Sequence, residues 1–342
     1  MKITTILPLT ACLLSLISFA RASVVESAAR TPELEQKREY IATVSKLHGD
    51  LVYKKVGDLE LTLDLMLPLS TTAKNGREFF PDGTPVVIWL HGGGWRNGSR
   101  YFSGNDIRFF ANHGIASACV SYRLVQDGNG CTVETCVIDC FDAVRWLVKN
   151  AGNYGLAPGK VFVYGGSAGA HLALMLAWAD ADAFKGDPAL ADARVAVAGA
   201  VAIAPVATLA DLDARDSIDY LNEKGRFEKL MGGSLPEKMD LAKKASPLYW
   251  LKKDSPRTLV IHGTRDQRVS LKGSLMLEER ARELGADFTL LRAPNADHSQ
   301  RGARAPLWRV QGLIVLDNML DIVQSSYGET DWVRQIWRSA TF

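Results

Sequence analysis

The sequence predicts an α/β fold in which helices cover both faces of a mostly parallel sheet. The first observation is a set of continuous apolar runs, typical of strands buried on both faces; they cover residues 85–90, 115–120, 161–164, 195–203 and 258–261. The second is that helical stretches alternate with these runs, at 133–150, 168–179, 271–284 and 306–323. The third is composition, because 47% hydrophobic and 23% charged residues supply a large core without the apolar excess of a membrane protein.

Residues 1–22 are predicted to be a signal peptide. Lys2 gives a positive start, an apolar stretch covers residues 6–20, and Ala20-Arg21-Ala22 has the small-x-small pattern of a cleavage site. The mature chain is then expected to begin near Ser23 and to be secreted or periplasmic. A membrane anchor is disfavoured because the apolar run is short for a span of ~20 residues. A lipoprotein signal ending at Cys12 is disfavoured because it would leave a very short leader.

Residues 23–342 are predicted to form a single domain. Residues 23–49 are charged and predict an exposed helical segment, whereas the polar–apolar alternation over 50–67 predicts antiparallel strands at one edge of the sheet. Residues 206–250 interrupt the strand–helix alternation and are rich in charge, so they are a candidate cap over the carboxyl edge of the sheet. The net charge of +2 is spread along the chain and gives no reason to expect a nucleic-acid partner.

Four cysteines follow the predicted signal peptide: Cys119, Cys131, Cys136 and Cys140. In an exported protein an even number favours disulfides, so one or two local pairs are expected. Cys119 lies in an apolar run, and a buried thiol is the alternative for it. Zinc is the alternative for the clustered cysteines, but no histidine lies among them and their spacing is not of the paired C-x-x-C type. No metal is therefore expected.

The predicted nucleophile is Ser167, in the pentapeptide Gly165-Gly166-Ser167-Ala168-Gly169. A G-x-S-x-G sequence is weak evidence alone, because glycine and serine are common. Here a buried run precedes it and a helical stretch follows it, and in that setting the serine lies on a tight turn with its hydroxyl exposed. A simple glycine-rich turn between strand and helix is the alternative interpretation.

A serine hydroxyl needs a base, and the sequence contains six histidines. His298 is the predicted base because its polar loop follows an apolar strand-like run and can reach back over the sheet. Asp266 is the predicted acid, in a loop after another buried run, although a helix cap is an alternative role for it. Asp297 competes but adjoins His298 and could hardly reach the far ring nitrogen. His262 and His171 are interpreted as packed side chains.

The motif His91-Gly92-Gly93-Gly94-Trp95 directly follows the first apolar run. Ester cleavage develops negative charge on the carbonyl oxygen, and backbone N–H groups aimed at that oxygen stabilise it. Gly93, Gly94 and the N–H of Ala168 are therefore the predicted oxyanion hole. A phosphate-binding loop is the alternative, but the Lys-Ser/Thr of a P-loop and the G-x-G-x-x-G of a dinucleotide site are both missing.

With these motifs the chain resembles the α/β-hydrolase superfamily, and more narrowly its hormone-sensitive-lipase-like and bacterial feruloyl-esterase-like carboxylesterases. The resemblance covers roughly residues 50–325 and rests on 91–95, 165–173, 246–247, 262–269 and 297–298. It implies an eight-stranded, mostly parallel sheet and two-step ester hydrolysis without a metal or cofactor. The chain departs from the pattern in the 131–140 insert, in the tail after Tyr327, and at Val125-Gln126, where many relatives have Ala-Pro.

The expected function is hydrolysis of a small-molecule or polysaccharide-linked carboxylic ester through an acyl-enzyme. Trp95, Tyr101 and Phe102 are candidates for the substrate pocket, and a place in the core is the alternative for them. The same machinery also fits an amidase of the arylformamidase kind or an exopeptidase. A non-catalytic binding module on the same scaffold is a further alternative, although such modules typically lose a member of the triad and none is lost here. The sequence leaves the oligomeric state open.

Overall fold

The computed structural model describes residues 41–72, 80–100, 110–126, 130–211 and 225–299, together with Gln36 and Glu39. The predicted signal peptide, the predicted helix at 306–323 and the tail lie outside the described residues. Within the described part of the chain, no helix combines the length and apolar content that a bilayer span requires.

The described residues build one eight-stranded sheet. In chain order the strands are β1 (Ser45–Val56), β2 (Leu59–Pro68), β3 (Thr84–Leu90), β4 (Ala116–Val120), β5 (Leu156–Gly166), β6 (Val197–Ile203), β7 (Arg257–Gly263) and β8 (Phe288–Ala293). They lie in the order β1-β2-β4-β3-β5-β6-β7-β8. The pairs β1–β2 and β2–β4 are antiparallel and every other pair is parallel. The predicted α/β class with an antiparallel edge is therefore confirmed.

Five α-helices lie entirely within the described residues: α1 (Val133–Lys149), α2 (Ala168–Trp178), α3 (Arg226–Met231), α4 (Leu235–Lys244) and α5 (Leu271–Leu284). Residues 41–44, in the segment predicted as helical, and residues 110–112 are helical as well. Short 3-10 helices cover Ala151–Tyr154, Ala181–Ala183, Pro188–Leu190 and Pro247–Tyr249. The ends of α5 follow from its sequence, because the Ser270 hydroxyl accepts a hydrogen bond from the Lys272 amide and Gly285 adopts the left-handed conformation that ends helices. Three predicted helices thus have their predicted positions within one residue.

The apolar runs in the sequence correspond to strands with a core on both faces. In β3, Val86, Ile88 and Leu90 pack in a cluster with residues of α1 and α2. The alternate residues Val87 and Trp89 pack in a second cluster on the opposite face. Successive side chains of a strand point to opposite faces, so a strand covered on both sides must be apolar throughout.

One segment differs from its predicted secondary structure, and the predicted cap is only partly described. Residues 45–49, predicted as exposed helix, begin β1 and extend its ladder to β2, with Leu47 opposite Met66. In this ladder the backbone N–H and C=O groups at the start of β1 find hydrogen-bond partners on β2. That pairing is the physical reason for a strand here. In the candidate cap, α3 and α4 bury Phe227, Leu230 and Leu235 in the same cluster as α1. Residues 212–224 lie outside the described residues, so the cap stays a prediction.

The predicted local disulfides are wrong: all four cysteines are buried thiols. Cys136 and Cys140 are one helical turn apart on α1, and side chains so placed are about 5–6 Å apart at Cβ, too far for the ~3.8 Å of a disulfide. The Cys136 thiol instead donates to the Arg123 carbonyl at 3.1 Å. Cys119 packs on the opposite face of the sheet from these two.

Candidate active site

Ser167 lies at the turn between β5 and α2, in a backbone conformation that non-glycine residues rarely adopt. Its φ is 55° and its ψ is −121°, a combination that costs energy and persists only where the surroundings enforce it. Its amide donates to the Ile203 carbonyl at 2.8 Å. A side chain at Gly165 would place Cβ 2.2 Å from the Gly169 carbonyl oxygen. The glycines of the motif therefore let strand and helix approach closely, as the sequence indicated.

The glycine-rich loop after β3 packs directly against this turn. A Cβ at Gly169 would lie 2.0 Å from the Leu90 carbonyl oxygen, and one at Gly92 would lie 2.8 Å from that of Gly166. Gly93 and Gly94 have φ of 110° and 61°, and a Cβ at Gly93 would lie 2.1 Å from a backbone oxygen. The loop conformation therefore excludes side chains at its centre and brings the backbone to the edge of the sheet.

Gly93, Gly94 and Ala168 line the same cavity as Ser167. Within the described residues, the amides of Gly93 and Gly94 donate to no protein acceptor. Ala168 is the first residue of α2, and the first amides of a helix have no partner inside it. The three residues predicted as oxyanion donors thus lie together beside the predicted nucleophile.

His298 and Asp266 meet at the carboxyl ends of β7 and β8. The imidazole Nδ1 of His298 lies 2.7 Å from Oδ2 of Asp266. The carboxylate side chain is fully buried, and the imidazole is 17% exposed. Asp297, the competing acid, accepts a hydrogen bond from the Ser299 amide at 2.8 Å. Asp266 is therefore the carboxylate on His298 Nδ1, as the sequence predicted.

The two loops that carry this pair are bonded to each other. The Thr264 amide donates to the Ala293 carbonyl and the Arg265 amide to the Ala296 carbonyl, both at 2.9 Å. A Cβ at Gly263 would lie 2.4 Å from the Ala296 carbonyl oxygen. Because the two loops are hydrogen-bonded to each other, the positions of Asp266 and His298 depend on one another.

Asp266 is held as an anion by hydrogen bonds. Burial acts to raise its pKa, but hydrogen bonds from His262, His298 and the Val269 amide outweigh it and hold the pKa well below the usual range of a carboxyl. Its Oδ1 accepts from the amides of Arg268 and Val269 at 2.9 and 3.0 Å. A carboxylate that is ionised at neutral pH thereby lies against the imidazole.

A cavity of about 910 Å³ opens over these groups. Among the predicted site residues, those that line it are Gly93, Gly94, Trp95, Ser167, Ala168 and His298. Asp266 lies behind His298. Trp95 is only 1% exposed, and its indole N–H donates to His171 Nδ1 at 3.3 Å, so its side chain belongs mainly to the core. Tyr101 and Phe102 lie outside the described residues.

Comparison with known proteins assigns the chain to a family. The BD-FAE sequence pattern matches residues 77–281, which is more than half of the chain. The chain belongs to the BD-FAE family. Esterase LipQ of Mycobacterium tuberculosis is 28% identical over 218 residues, which are 63% of this chain and 50% of LipQ. An arylesterase of Saccharolobus solfataricus is 32% identical over 119 residues, 34% of this chain and 35% of that protein.

The fold of this BD-FAE chain is also that of a solved esterase. Est2 of the planctomycete Thermogutta terrifontis, solved with propionate bound, superposes with a TM-score of 0.65 at 23% identity. The match covers 83% of this chain and 95% of Est2. The chain spans about half the length of the first curated relatives it matches. The predicted resemblance to α/β-hydrolase carboxylesterases is confirmed, and so is the predicted eight-stranded fold.

Sequence reasoning missed the residues that support the glycine loop. The Tyr122 hydroxyl donates to the His91 carbonyl at 2.7 Å, and the two rings stack with centroids 4.2 Å apart. Burial lowers the pKa of His91 to about 4, so this ring is neutral at neutral pH. Tyr122 lies three residues before Val125-Gln126, where the chain departs from the pattern of its relatives, and that proximity was the available signal.

His262 was interpreted as a packed side chain, and that is only part of its environment. It is fully buried at the end of β7, and its Nε2 lies 3.3 Å from Asp266 Oδ2. Its spacing of four residues from the predicted acid, across a tight turn, was the signal that could have identified the contact. His171, by contrast, is a core residue as predicted, with Nε2 2.7 Å from the Ala245 carbonyl oxygen.

Proposed function

We propose that this protein hydrolyses carboxylic esters, with Ser167 as nucleophile, His298 as general base and Asp266 as its acid partner. The observation that carries the proposal is the 2.7 Å contact between His298 and Asp266, in a cavity that Ser167 also lines. The esterase names of several relatives support the same reaction class.

In the first half-reaction, the ring of His298 accepts the Ser167 proton as the hydroxyl oxygen attacks the ester carbonyl. Asp266 accepts a hydrogen bond at Nδ1, which fixes the tautomer whose Nε2 is free to take a proton and stabilises the imidazolium that forms. The carbonyl oxygen becomes negatively charged beside the amides of Gly93, Gly94 and Ala168. Each such donor is worth about 10²–10³ in rate.

Collapse of the tetrahedral intermediate breaks the bond to the alcohol, which leaves with the proton from His298. The acyl group stays on the Ser167 oxygen. In the second half-reaction His298 removes a proton from water, the hydroxyl attacks the acyl carbon, and the acid is released as the serine regains its proton.

Reaction with a fluorophosphonate probe tests the nucleophile directly, because phosphonylation needs an activated serine but not the natural substrate. We expect the wild-type protein to be labelled at Ser167 and to hydrolyse a short p-nitrophenyl ester. Ser167→Ala should abolish both, with an unchanged far-UV circular dichroism spectrum.

The matched control for that experiment is Ser299→Ala, which removes another serine that lines the same cavity. It should keep labelling and hydrolysis within about twofold of the wild-type values, since its hydroxyl has no part in the proposed mechanism. Ester hydrolysis by Ser167→Ala within tenfold of the parent would remove Ser167 from its role.

We also propose that the protein is exported and cleaved before Ser23. The support is the pattern of Lys2, the apolar stretch over 6–20 and the small residues at the predicted cleavage site. N-terminal sequencing of protein recovered from outside the cytoplasm should begin at Ser23. Recovery of a lipid-modified chain that begins at Cys12 would instead establish the lipoprotein alternative.

A further inference from the structure

The carboxylate of Asp266 is approached by two imidazole rings, of which the proposed mechanism uses one. His298 Nδ1 lies 2.7 Å from Oδ2 and lines the cavity. His262 Nε2 lies 3.3 Å from the same oxygen, and its side chain is fully buried. The second ring therefore contacts the acid from the protein interior, on the side away from the cavity.

The surroundings of His262 determine which of its nitrogens carries the hydrogen. Nε2 lies 2.8 Å from the Val269 carbonyl oxygen, and because a carbonyl can only accept, Nε2 must be the donor. In the neutral ring Nδ1 is then an acceptor, and the Ser274 hydroxyl of α5 lies 2.7 Å from it. The tautomer with its hydrogen on Nε2, the nitrogen that lies nearest to Asp266, is therefore the one that agrees with both hydrogen-bond partners of the ring.

The remaining contacts of Asp266 are uncharged. Its other oxygen accepts from the amides of Arg268 and Val269, and α5 contributes the Ser274 hydroxyl only through His262. From the loop after β8 the contact is His298 alone. Within the described residues, the titratable groups in contact with Asp266 are thus the two histidines. No lysine or arginine side chain forms an ion pair with it there.

We infer that His262 is a positioning residue, which keeps Asp266 ionised and aimed at His298 through a series of polar contacts that runs from Ser274 on α5 to the cavity. The inference rests on the proposed function, because positioning has a consequence for rate only if His298 is the base. A carboxylate that loses this donor accepts more strongly from its other partners, and it is freer to rotate.

Paired variants at position 262 separate positioning from packing. His262→Gln keeps an N–H donor near the place of Nε2, whereas His262→Leu fills similar space without one. Ser274→Ala leaves the ring and its Val269 partner but removes the hydroxyl that lies 2.7 Å from Nδ1. Leu277→Ala is the matched control, since Leu277 is fully buried on the same helix but packs in a separate apolar cluster.

The primary measurement is the pH dependence of fluorophosphonate labelling, with kcat and KM on a short p-nitrophenyl ester beside it. We expect His262→Leu to lower kcat by about 10–100-fold with KM changed less than threefold. The acid limb of its labelling profile, which belongs to the Asp266–His298 pair, should move up by ~0.5 pH unit. His262→Gln should recover most of the rate and the parental profile, and Ser274→Ala should have an intermediate effect.

A packing role predicts a different result. In that case His262→Leu, His262→Gln and Leu277→Ala would all lower thermal stability with parental kcat and an unmoved pH profile, and the inference would be overturned. The inference would also be overturned if Leu277→Ala shifted the pH profile of labelling as far as His262→Leu does.

A substrate-independent measurement distinguishes failure of this inference from failure of the proposed function. The proton between His298 and Asp266 can be observed as a downfield NMR resonance in the wild-type protein. We expect it to shift or broaden in His262→Leu and to stay in His262→Gln. Wild-type protein that resists labelling but gives this pattern refutes the esterase proposal and supports the positioning role. Labelled protein with the same resonance in every variant refutes the positioning role alone.

Discussion

Two regions of the molecule bury carboxylates completely, and the groups that contact the carboxylates differ in kind between them. On α1, Asp139 and Asp142 are fully buried against basic side chains. At the ends of β7 and β8, Asp266 is equally buried but contacts imidazoles and backbone amides. Both arrangements satisfy the carboxylate oxygens, which burial demands. They differ in what the partners can do with a proton.

The cluster on α1 is made of ion pairs between carboxylates and lysine or arginine side chains. Lys54 lies 2.8 Å from both Asp139 and Asp142, Arg123 lies 2.7 Å from Asp139, and Arg145 lies 2.8 Å from Asp142. These ion pairs link β1 to α1, and lysine and arginine side chains as a class do not exchange protons near neutral pH. An imidazole, in contrast, changes charge near neutral pH. In the proposed mechanism, Asp266 therefore fixes a partner that accepts and returns a proton.

The largest expected effect is on activity, from Asp266→Asn. An amide cannot hold His298 in the required tautomer or stabilise its imidazolium, so we expect kcat to fall about 10⁴-fold. The shape of the side chain is kept, and the free energy of unfolding should fall by no more than about 1–2 kcal/mol. Ester hydrolysis and urea unfolding measure the two quantities. A loss of activity below tenfold would mean that Asp266 is no more than a structural acid, like those on α1.

Asp139→Asn should give the opposite pattern. It leaves the buried Lys54 and the partly exposed Arg123 with too little negative charge beside them, and breaking a buried ion pair in this way costs about 3–5 kcal/mol of stability. Because the cluster has no contact with Ser167 or His298, the folded fraction should keep the parental kcat. Urea unfolding and activity per folded molecule test this. Reduced kcat in fully folded Asp139→Asn would contradict the division between structural and functional carboxylates.

The position of each of these residues along the chain explains which contacts the sequence could predict. The sequence could place Ser167, Asp266 and His298 near one another because each follows an apolar run, and the carboxyl ends of parallel strands meet at one edge of a sheet. The contact of His298 with Asp266 and the cavity that Ser167 and His298 line agree with that placement. Asp139 and Asp142 lie inside a helix, where the sequence does not state which distant cation reaches them. Lys54 is 85 residues from Asp139 along the chain, so this contact depends on the register of β1 and was not predictable.

The cysteines were misjudged for a related reason. Their clustering and the predicted export favoured disulfides, but pairing depends on three-dimensional distance and on the direction of each Cβ. Cys136 and Cys140 lie on one face of α1 and pack in the core. There the two side chains fill space among apolar residues. The order of the strands was open in the same way, because alternating runs predict a parallel sheet but not the exchange of β3 and β4 in its order.

His171 is a third kind of buried ionisable group, and it makes the stability of the protein depend on pH. His171 is fully buried, and burial lowers its pKa to about 4 despite its hydrogen bond to the Ala245 carbonyl. Between that value and the ~6.5 of an unfolded histidine, the unfolded chain binds more protons than the folded protein. Stability therefore rises with pH across this window, is complete above pH 6.5, and is lost as pH falls toward 4, by on the order of 3 kcal/mol.

Urea unfolding of wild-type protein and His171→Gln at pH 6.5 and 4.5 isolates that contribution, because other titrating groups are common to both chains. We expect the wild-type protein to lose more stability on acidification than the variant. Equal losses in the two proteins would show that His171 does not titrate as a buried neutral ring.

The smallest expected effect comes from an ion pair with the same chemistry as the α1 cluster but without its burial. Lys149 lies 2.8 Å from Asp192 at the end of α1, and the two side chains are 43% and 71% exposed. Water and salt screen such a pair, and its formation costs side-chain entropy. Lys149 also donates to the Ala189 carbonyl at 2.9 Å, so removal of the carboxylate leaves it solvated and bonded. Asp192→Asn should therefore leave the urea midpoint and kcat within experimental error of the parent. A destabilisation that approaches that of Asp139→Asn would mean that distance, rather than burial, decides what an ion pair contributes in this protein.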